Sequence, residues 1–166
     1  MQSTHKGIAI ICVGRKPWDD ETWRKEVSRW LDERVGKRLD TDCLTRFLEK
    51  IHYFLGDIGD ADTFRLFKEY LESKPEFPAN HVFYLSLPSA EYKMVSHRLA
   101  DNGLNREDSG GWSRLVIEKP FGYDLEGTQA LDMSLRRDFD EHQLYRIDHY
   151  LVPERKVLLA LQNNVL

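Results

Sequence analysis

Short apolar runs alternate along the chain with longer segments in which apolar residues recur every three or four positions. The runs end near glycine, proline or aspartate, which is typical of strands that lead into turns. The periodic segments are typical of helices that bury one face. The predicted strands cover residues 8–13, 51–55, 82–87, 114–118 and 143–147. One predicted helix begins at residues 19–20, and the others cover 41–50, 64–71, 92–99, 124–139 and 154–162.

Strands and helices therefore alternate from one end of the chain to the other. The strands are nearly continuous in apolar residues, as expected of strands that are buried on both faces. This alternation predicts an α/β fold in which a parallel sheet carries helices on both faces. In the last predicted helix, Val157, Leu158, Leu161 and Val165 form an apolar face that requires a partner surface.

Composition and charge are those of an ordinary cytoplasmic protein of about one domain. Of the 166 residues, 41% are hydrophobic and 31% are charged, and the net charge is −4. This balance gives no basic surface for nucleic acid, and the apolar runs are too short to span a bilayer. We therefore expect no nucleic-acid partner and no membrane partner.

Cysteine and histidine give no indication of a metal site, and no metal is predicted. Cys12 and Cys43 are the only cysteines, and both lie in apolar patterns. We expect them to be small buried hydrophobic residues rather than a disulfide or a metal-binding pair. The six histidines lack the paired spacing of zinc ligands.

The candidate chemistry is concentrated after the last two predicted strands. Lys119 follows one strand, and Asp148, His149 and Tyr150 follow the other. Parallel α/β sheets bind ligands at this edge, the carboxyl ends of their strands. Lys119 is a candidate for orienting a substrate oxygen and Asp148 for orienting a catalytic histidine, while His149 and Tyr150 suit phosphate binding or proton transfer. The alternative is structural, with a lysine that extends into solvent and an aspartate and a histidine that cap a strand.

A second candidate site follows the first predicted strand. A Rossmann fold binds the adenosine ribose just past the end of a buried strand, and an arginine at that place accommodates a 2′-phosphate. Arg15 with Lys16 therefore favours NADP, and the alternative is a solvated basic turn. The sequence has no G-x-G-x-x-G turn to hold a pyrophosphate. The nearest stretch, Gly56-Asp-Ile-Gly59 with the residue that follows it, has two aspartates, Asp57 and Asp60, that would repel a phosphate, and it is interpreted as a plain turn.

Two motifs in the last third are specific, Glu118-Lys-Pro-Phe-Gly122 and Arg146-Ile-Asp-His-Tyr-Leu151. Supporting stretches are Val13-Gly-Arg-Lys-Pro-Trp18, Phe83-Tyr-Leu-Ser-Leu-Pro88 and Gly111-Trp-Ser-Arg114. Together they resemble the glucose-6-phosphate dehydrogenase family over nearly the whole chain. The resemblance implies an incomplete NADP-binding, Rossmann-like doubly wound domain over residues 1–151, which lacks its first strand. Residues 152–166 are then expected to begin a helix leading to a carboxyl-terminal domain that this chain does not contain.

The resemblance also implies an activity, the NADP-dependent oxidation of glucose 6-phosphate to 6-phosphogluconolactone in the pentose phosphate pathway. It implies that Arg15, with Lys16, contacts the 2′-phosphate and that Lys119 touches both sugar and coenzyme. Asp148 matches the carboxylate that is paired with the general base. His149 and Tyr150 match residues that bind the sugar phosphate.

The chain departs from the family pattern in three respects. The first strand with its glycine-rich turn is absent, Pro153 replaces a phosphate-binding lysine, and the histidine that acts as base belongs to the carboxyl-terminal domain. Because the first strand lies between the second and the fourth in a Rossmann sheet, its absence is expected to split the sheet.

Two hypotheses about function follow. In one, the chain is part of the enzyme and acts within a homo-oligomer or with a complementing polypeptide, while the isolated chain is inactive. In the other, it is a non-catalytic remnant or interaction module that binds a partner through residues 157–166.

Overall fold

A computed structural model describes residues 7–35, 40–107, 110–119 and 125–147. Strands and helices alternate in it as predicted, with two helices between the first two strands. The elements are β1 Ile10–Gly14, α1 Asp20–Val35, α2 Thr41–Glu49, β2 Ile51–Leu55, α3 Asp62–Glu72, β3 His81–Leu85, α4 Ser89–Asp101, β4 Ser113–Glu118, α5 Leu125–Asp138, a short 3-10 helix Glu141–Gln143, and β5 Leu144–Ile147. The predicted helix over residues 154–162 lies outside the described residues.

The described strands form two separate sheets. One contains β1 and β2, and the other has the order β3-β4-β5. β1 and β2 are parallel, with Ile10 opposite Ile51. β4 and β5 are also parallel, with Glu118 opposite Ile147 at their carboxyl ends. The α/β class with parallel strands is confirmed, and the division into two sheets agrees with the expected split.

The chain divides into two compact units. The first unit consists of the residues up to His81 together with Met94–Ser113, and the second consists of Val82–Lys93 and the residues from Arg114 onward. The first unit thus contains the sheet of β1 and β2. The second contains β5 and all but the first residue of β3 and of β4.

Apolar and aromatic side chains of β2 and α3 form the core of the first unit. Ile51 of β2 and Phe64, Phe67 and Leu71 of α3 are buried. The ring centroids of Phe54 and Phe67 lie 5.1 Å apart, a distance typical of favourable aromatic pairs. The apolar stripe that α3 shows in the sequence is therefore the face that packs inward.

The prediction that the first strand is buried on both faces is wrong. Ile10 and Val13 of β1 are 39% and 42% exposed. The physical reason is pairing, because β1 bonds to β2 along one edge and no described strand pairs with its other edge. An apolar run predicts that a strand has side chains suited to burial. Whether those side chains are buried depends on neighbours that are distant in sequence.

The prediction that both cysteines are buried is also wrong. Cys43 is exposed and Cys12 is half-buried, and both are free thiols. Cys43 lies in the first turn of α2, a helix without buried residues whose amino terminus is capped by Asp40. Burial raises the pKa of the Cys12 thiol.

The core of the second unit forms around β4. Leu115 and Ile117 are buried at alternate positions of the strand, as its pleat requires. Leu135 and Phe139, at and just beyond the end of α5, are only 1% and 2% exposed. This core fixes the carboxyl end of β4, where the candidate chemistry of the unit begins.

Candidate functional site

Lys119 directly follows β4 at the carboxyl edge of the three-stranded sheet. Its backbone N–H donates to the backbone carbonyl of Ile147, the last residue of β5, at 3.3 Å. Glu118 and Ile147 are register partners, so the two strands end side by side. The Lys119 residue is exposed. The predicted residues Asp148, His149 and Tyr150 lie outside the described residues, and the structure describes only the strand that precedes them.

Two tyrosines hold the residue before Lys119. The Tyr84 hydroxyl of β3 donates to the carboxylate of Glu118. The Tyr92 hydroxyl of α4 donates to the backbone carbonyl of Glu118 at 3.1 Å. Tyr92 is only 2% exposed, so its orientation is fixed by packing. Together the two hydrogen bonds fix both the side chain and the main chain of Glu118.

A network of four charged side chains holds the other strand, β5. Arg136 of α5 contacts Asp132 at 2.6 Å and Glu141 at 2.7 Å. Arg146 of β5 contacts the same two carboxylates, with 3.4 Å to Glu141. The Arg136 hydrogen bond, with a contribution from Arg146, lowers the pKa of Asp132 below its usual value. The network links α5, the 3-10 helix and the strand that ends at Ile147.

Sequence reasoning assigned these supporting residues no role. Tyr92 stands at the start of a predicted helix, and Tyr84 lies in one of the family-like stretches. Tyr84 and Glu118 are separated by 34 residues and meet because their strands are neighbours in the sheet. No local pattern contains that contact, so only the strand order could have revealed it.

Arg15 and Lys16 follow β1 in the first unit. Arg15 is exposed, as expected of a residue that contacts a ligand or solvent. The Lys16 ammonium lies 4.2 Å from the centroid of the Trp18 ring, within the range of a cation–π interaction. The backbone carbonyl of Lys16 accepts a 3.0 Å hydrogen bond from the Tyr53 hydroxyl. The main chain beside Arg15 is therefore anchored to β2.

Gly14 is required at the end of β1 because of the same tyrosine. A Cβ atom at position 14 would lie 2.5 Å from the hydroxyl oxygen of Tyr53. Tyr53 also packs against Trp18 and Trp23, with ring centroids 5.9 and 5.7 Å away. A side chain at position 14 would displace Tyr53 and the segment it holds.

The amino terminus of α1 is already occupied by carboxylates of the chain. The Asp19 side chain accepts a 2.8 Å hydrogen bond from the Thr22 N–H, and the hydrogen bonding of Thr22 lowers the pKa of Asp19. Asp20 accepts a 2.7 Å bond from the backbone N–H of Tyr53 and lies 2.9 Å from the His52 ring nitrogen. The first turn of α1 is therefore acidic and does not suit a phosphate group.

The turn at Gly56 to Gly59 is the plain turn that was predicted. The Asp57 carboxylate accepts the backbone N–H of Gly59 at 2.8 Å, as in an Asx turn. The backbone N–H of Asp60 donates to the carbonyl of Asp57 at 3.0 Å. These groups satisfy one another, and the carboxylates would repel a phosphate.

The parts of the chain that the structure describes contain no group of three or more histidine, cysteine, aspartate or glutamate side chains placed to hold a metal ion. Among the same residues, no helix has the length and apolarity needed to cross a membrane.

Parallel strands with charged residues just beyond their carboxyl ends, joined by helices, define the chain as a Rossmann-like α/β protein. Residues 2–156 match the family model described as "Glucose-6-phosphate dehydrogenase, NAD binding domain". The chain belongs to the glucose-6-phosphate dehydrogenase family, and the predicted resemblance is confirmed.

Curated relatives and solved structures agree with this assignment. The chain is 37% identical to a glucose-6-phosphate 1-dehydrogenase of Aggregatibacter actinomycetemcomitans over 89% of its own length and 30% of the relative's. It is 42% identical to that of Treponema pallidum over 89% of its length and 29% of the relative's. The chain thus spans less than a third of these relatives.

Among solved structures, glucose-6-phosphate 1-dehydrogenase from Mycobacterium avium aligns with a TM-score of 0.71 and 26% identity, over 85% of this chain and 29% of that one. A glucose-6-phosphate dehydrogenase in complex with its substrate glucose-6-phosphate aligns with a TM-score of 0.69 and 29% identity, over 94% and 33%. These alignments confirm the predicted Rossmann-like class.

Proposed function

We propose that this chain is the coenzyme-binding part of a glucose-6-phosphate dehydrogenase, which oxidises glucose 6-phosphate to 6-phosphogluconolactone and uses NADP. The observation that supports the proposal most is the position of Lys119 in a chain of this family. Lys119 stands at the carboxyl end of β4, and its backbone is bonded to the end of β5. Ligands of parallel α/β sheets bind at such an edge.

In this proposal Lys119 contacts both the sugar and the coenzyme. A lysine ammonium has three donors and no acceptor, so it suits hydroxyl and carbonyl oxygens. The hydrogen bonds of Tyr84 and Tyr92 to Glu118 hold the strand end that carries it. Asp148, which follows β5, orients the histidine that removes the hydroxyl proton, and His149 and Tyr150 bind the sugar phosphate.

The coenzyme is a nicotinamide dinucleotide, which accepts the hydride from the sugar when it is bound. The residues after β1 fit its adenosine end, since Arg15 is exposed at a position where a Rossmann fold binds the ribose. A guanidinium binds phosphate through paired hydrogen bonds, so Arg15 supports a preference for NADP over NAD. Lys16 contributes positive charge from its place over Trp18.

Neither the first turn of α1 nor the Gly56 turn suits the pyrophosphate. The first turn of α1 and the Gly56 turn both carry carboxylates that accept the local backbone N–H groups. We propose that the missing parts of the site come from a longer gene product, a complementing polypeptide or another subunit of a homo-oligomer. In that view residues 1–151 form the coenzyme-binding domain and 152–166 begin the connection to a second domain. A cytoplasmic location stays a prediction from composition.

The test combines a binding measurement with an activity assay on the 166-residue chain. Calorimetric titration with NADP measures binding, and NADPH formation from glucose 6-phosphate measures turnover. We expect weak NADP binding, because Arg15 and Lys16 contact only the adenosine end of the coenzyme. We expect no turnover, because the proposed base does not belong to this chain. Absence of NADP binding would contradict the proposal and favour a non-catalytic remnant. Turnover by the purified chain would contradict the claim that these residues lack a complete site.

A further inference from the structure

Side chains of α1 cover the outer edge of β2, which is the edge that faces away from β1. The Asp20 carboxylate accepts the backbone N–H of Tyr53 at 2.7 Å. Two residues earlier on the strand, the backbone carbonyl of Ile51 accepts a 2.9 Å hydrogen bond from Nε of Arg24. Asp20 and Arg24 also form an ion pair at 3.6 Å. Because its backbone groups are bonded to charged side chains, this edge is closed to a further strand.

The outer edge of β1 has no such cover among the described residues. The N–H of Ile10 and the carbonyl of Gly14 bond to the β2 side, at 2.8 and 2.9 Å. The backbone groups of successive strand residues point to opposite edges, so those of Ile11 and Val13 face away from β2. No described strand or side chain bonds to these groups. The sheet of the first unit is therefore open to strand addition on one side only.

The side chains of β1 indicate which kind of strand fits this edge. Ile10 and Val13 are 39% and 42% exposed, and Ile8 just before the strand is 70% exposed. Ile10 and Val13 lie on opposite faces of the sheet, because side chains alternate along a strand. Apolar side chains on both faces are typical of strands that lie inside a parallel sheet. The fitting strand is therefore a continuous apolar run, about as long as the five residues of β1.

Charge disfavours a second copy of this chain as the occupant. No residue from Ile8 to Gly14 is charged, and the cations Arg15 and Lys16 follow directly. Two parallel β1 strands would place these cations side by side, and two antiparallel strands in full register would place Lys16 opposite Lys6. Like charges on neighbouring strands are destabilising, whereas opposite charges are favourable. The fitting strand therefore has a carboxylate at the end that lies beside this basic pair.

We infer that the outer edge of β1 binds an extended apolar strand of a different polypeptide, with an acidic residue beside Arg15 and Lys16. Main-chain hydrogen bonds to Ile11 and Val13 provide the pairing, as in other cases of strand addition to a sheet edge. The added strand also covers the exposed side chains of β1. This inference goes beyond the proposed function, since it holds whether or not the chain binds a coenzyme.

Amide hydrogen exchange, measured by NMR on the purified 166-residue chain, tests the inference. The probe is a synthetic peptide of five alternating valines and isoleucines, flanked by aspartates. One control peptide has lysines in place of the aspartates. A second has N-methylated amides through the apolar run, so it cannot donate hydrogen bonds. The Tyr53 amide is the internal reference, because Asp20 already accepts its hydrogen bond.

The aspartate peptide is expected to protect the amides of Ile11 and Val13. At ten times its Kd, their exchange should slow on the order of tenfold, because only the free chain exchanges. The exchange of the Tyr53 amide should not change. The lysine peptide should bind more weakly, and the N-methylated peptide should protect neither amide. Absence of protection by the aspartate peptide, or equal binding of the aspartate and lysine peptides, would overturn the inference.

Val13→Pro locates the binding at this edge. It removes an outward N–H and leaves the bonds of β1 to β2 in place, since proline is tolerated where its nitrogen faces outward from an edge strand. The folded variant, checked by circular dichroism, should bind the aspartate peptide at least tenfold more weakly, and unchanged binding would refute the assignment. If the variant does not fold, the exchange data on the parent chain decide the matter.

Protection of the Ile11 and Val13 amides in the chain without peptide would also count against the inference. Protection that rises with protein concentration would identify a second copy as the occupant. Protection that is independent of concentration would show that the chain covers its own edge.

Discussion

The backbone N–H of Lys119 donates a hydrogen bond to the backbone carbonyl of Ile147, at 3.3 Å. This bond extends the parallel pairing of β4 and β5 by one residue beyond Glu118. The beginnings of the two family motifs therefore lie at one edge of one sheet. The proposed roles of Lys119 and Asp148 depend on that edge.

Gly14→Ala tests the contact between the end of β1 and Tyr53. The new Cβ would lie 2.5 Å from the Tyr53 hydroxyl oxygen, so the ring must move and lose its bond to the Lys16 carbonyl. We expect a loss of about 1–3 kcal/mol in the free energy of unfolding, as is usual for overpacking. Urea denaturation measures it.

Tyr53→Phe provides the partner for a double-mutant cycle. It removes the hydroxyl oxygen, and the closest remaining ring atoms would lie 3.2 Å from the new Cβ. Gly14→Ala should therefore cost less in the Tyr53→Phe background than in the parent chain. Equal costs in the two backgrounds would show that the steric contact does not determine the effect.

Asp132→Asn tests the charged network that holds β5. The pKa of Asp132 in the folded chain is below 3.8, its value in the unfolded chain. Between these two pKa values the folded state binds fewer protons, so the full stabilisation is present above pH 3.8. That stability is lost as pH falls through the lowered pKa. Because the Asp132 side chain is 35% exposed, we expect a loss of only about 1 kcal/mol at neutral pH.

The measurement is denaturant unfolding of both proteins at neutral pH and at a pH below the lowered pKa. The difference between them should shrink at the lower pH, because Asp132 is then protonated in the parent chain. Asp32→Asn, at an exposed carboxylate on α1, is the control and should change stability little. A difference that is the same at both pH values would exclude ionisation of Asp132 as the cause.

His81 at the start of β3 makes stability depend on pH in the same direction. It is half-buried, and burial lowers its pKa below the usual 6.5. Between the folded and the unfolded pKa the unfolded chain binds more protons, so stability is lost as pH falls below 6.5. His81→Gln should reduce the acid sensitivity of the melting temperature over that range.

The exposed His142 provides the matched control for this experiment. His142→Gln should leave the slope of melting temperature against pH near that of the parent chain. If His81→Gln and His142→Gln change the slope equally, burial of His81 is not the source of the effect.

The sequence predicted the elements well where local chemistry determines them. The helix predicted over 41–50, for example, is observed as Thr41–Glu49. Burial of β1 was predicted wrongly because it depends on strands that are remote in sequence. The candidate residues themselves were recognised from motifs, which carry no information about what supports them.

The supporting contacts are those that the sequence could not provide. Tyr84 reaches Glu118 across the pairing of β3 with β4, and Arg146 reaches Asp132 across the packing of β5 with α5. Each pair is separated by more than a dozen residues, and neither has a spacing that a helix or a turn would impose. Such contacts appear only when the topology is known.

The preference of the chain for NADP over NAD, measured in the parent protein and in Arg15→Gln, tests the central claim most directly. A lost charge-assisted hydrogen bond to phosphate costs about 1.5–3 kcal/mol, so NADP binding should weaken by roughly tenfold or more while NAD binding is unchanged. Arg46→Gln, at an exposed arginine of α2, is the control and should change neither. Equal weakening of NADP and NAD binding, or no change in either, would contradict the account.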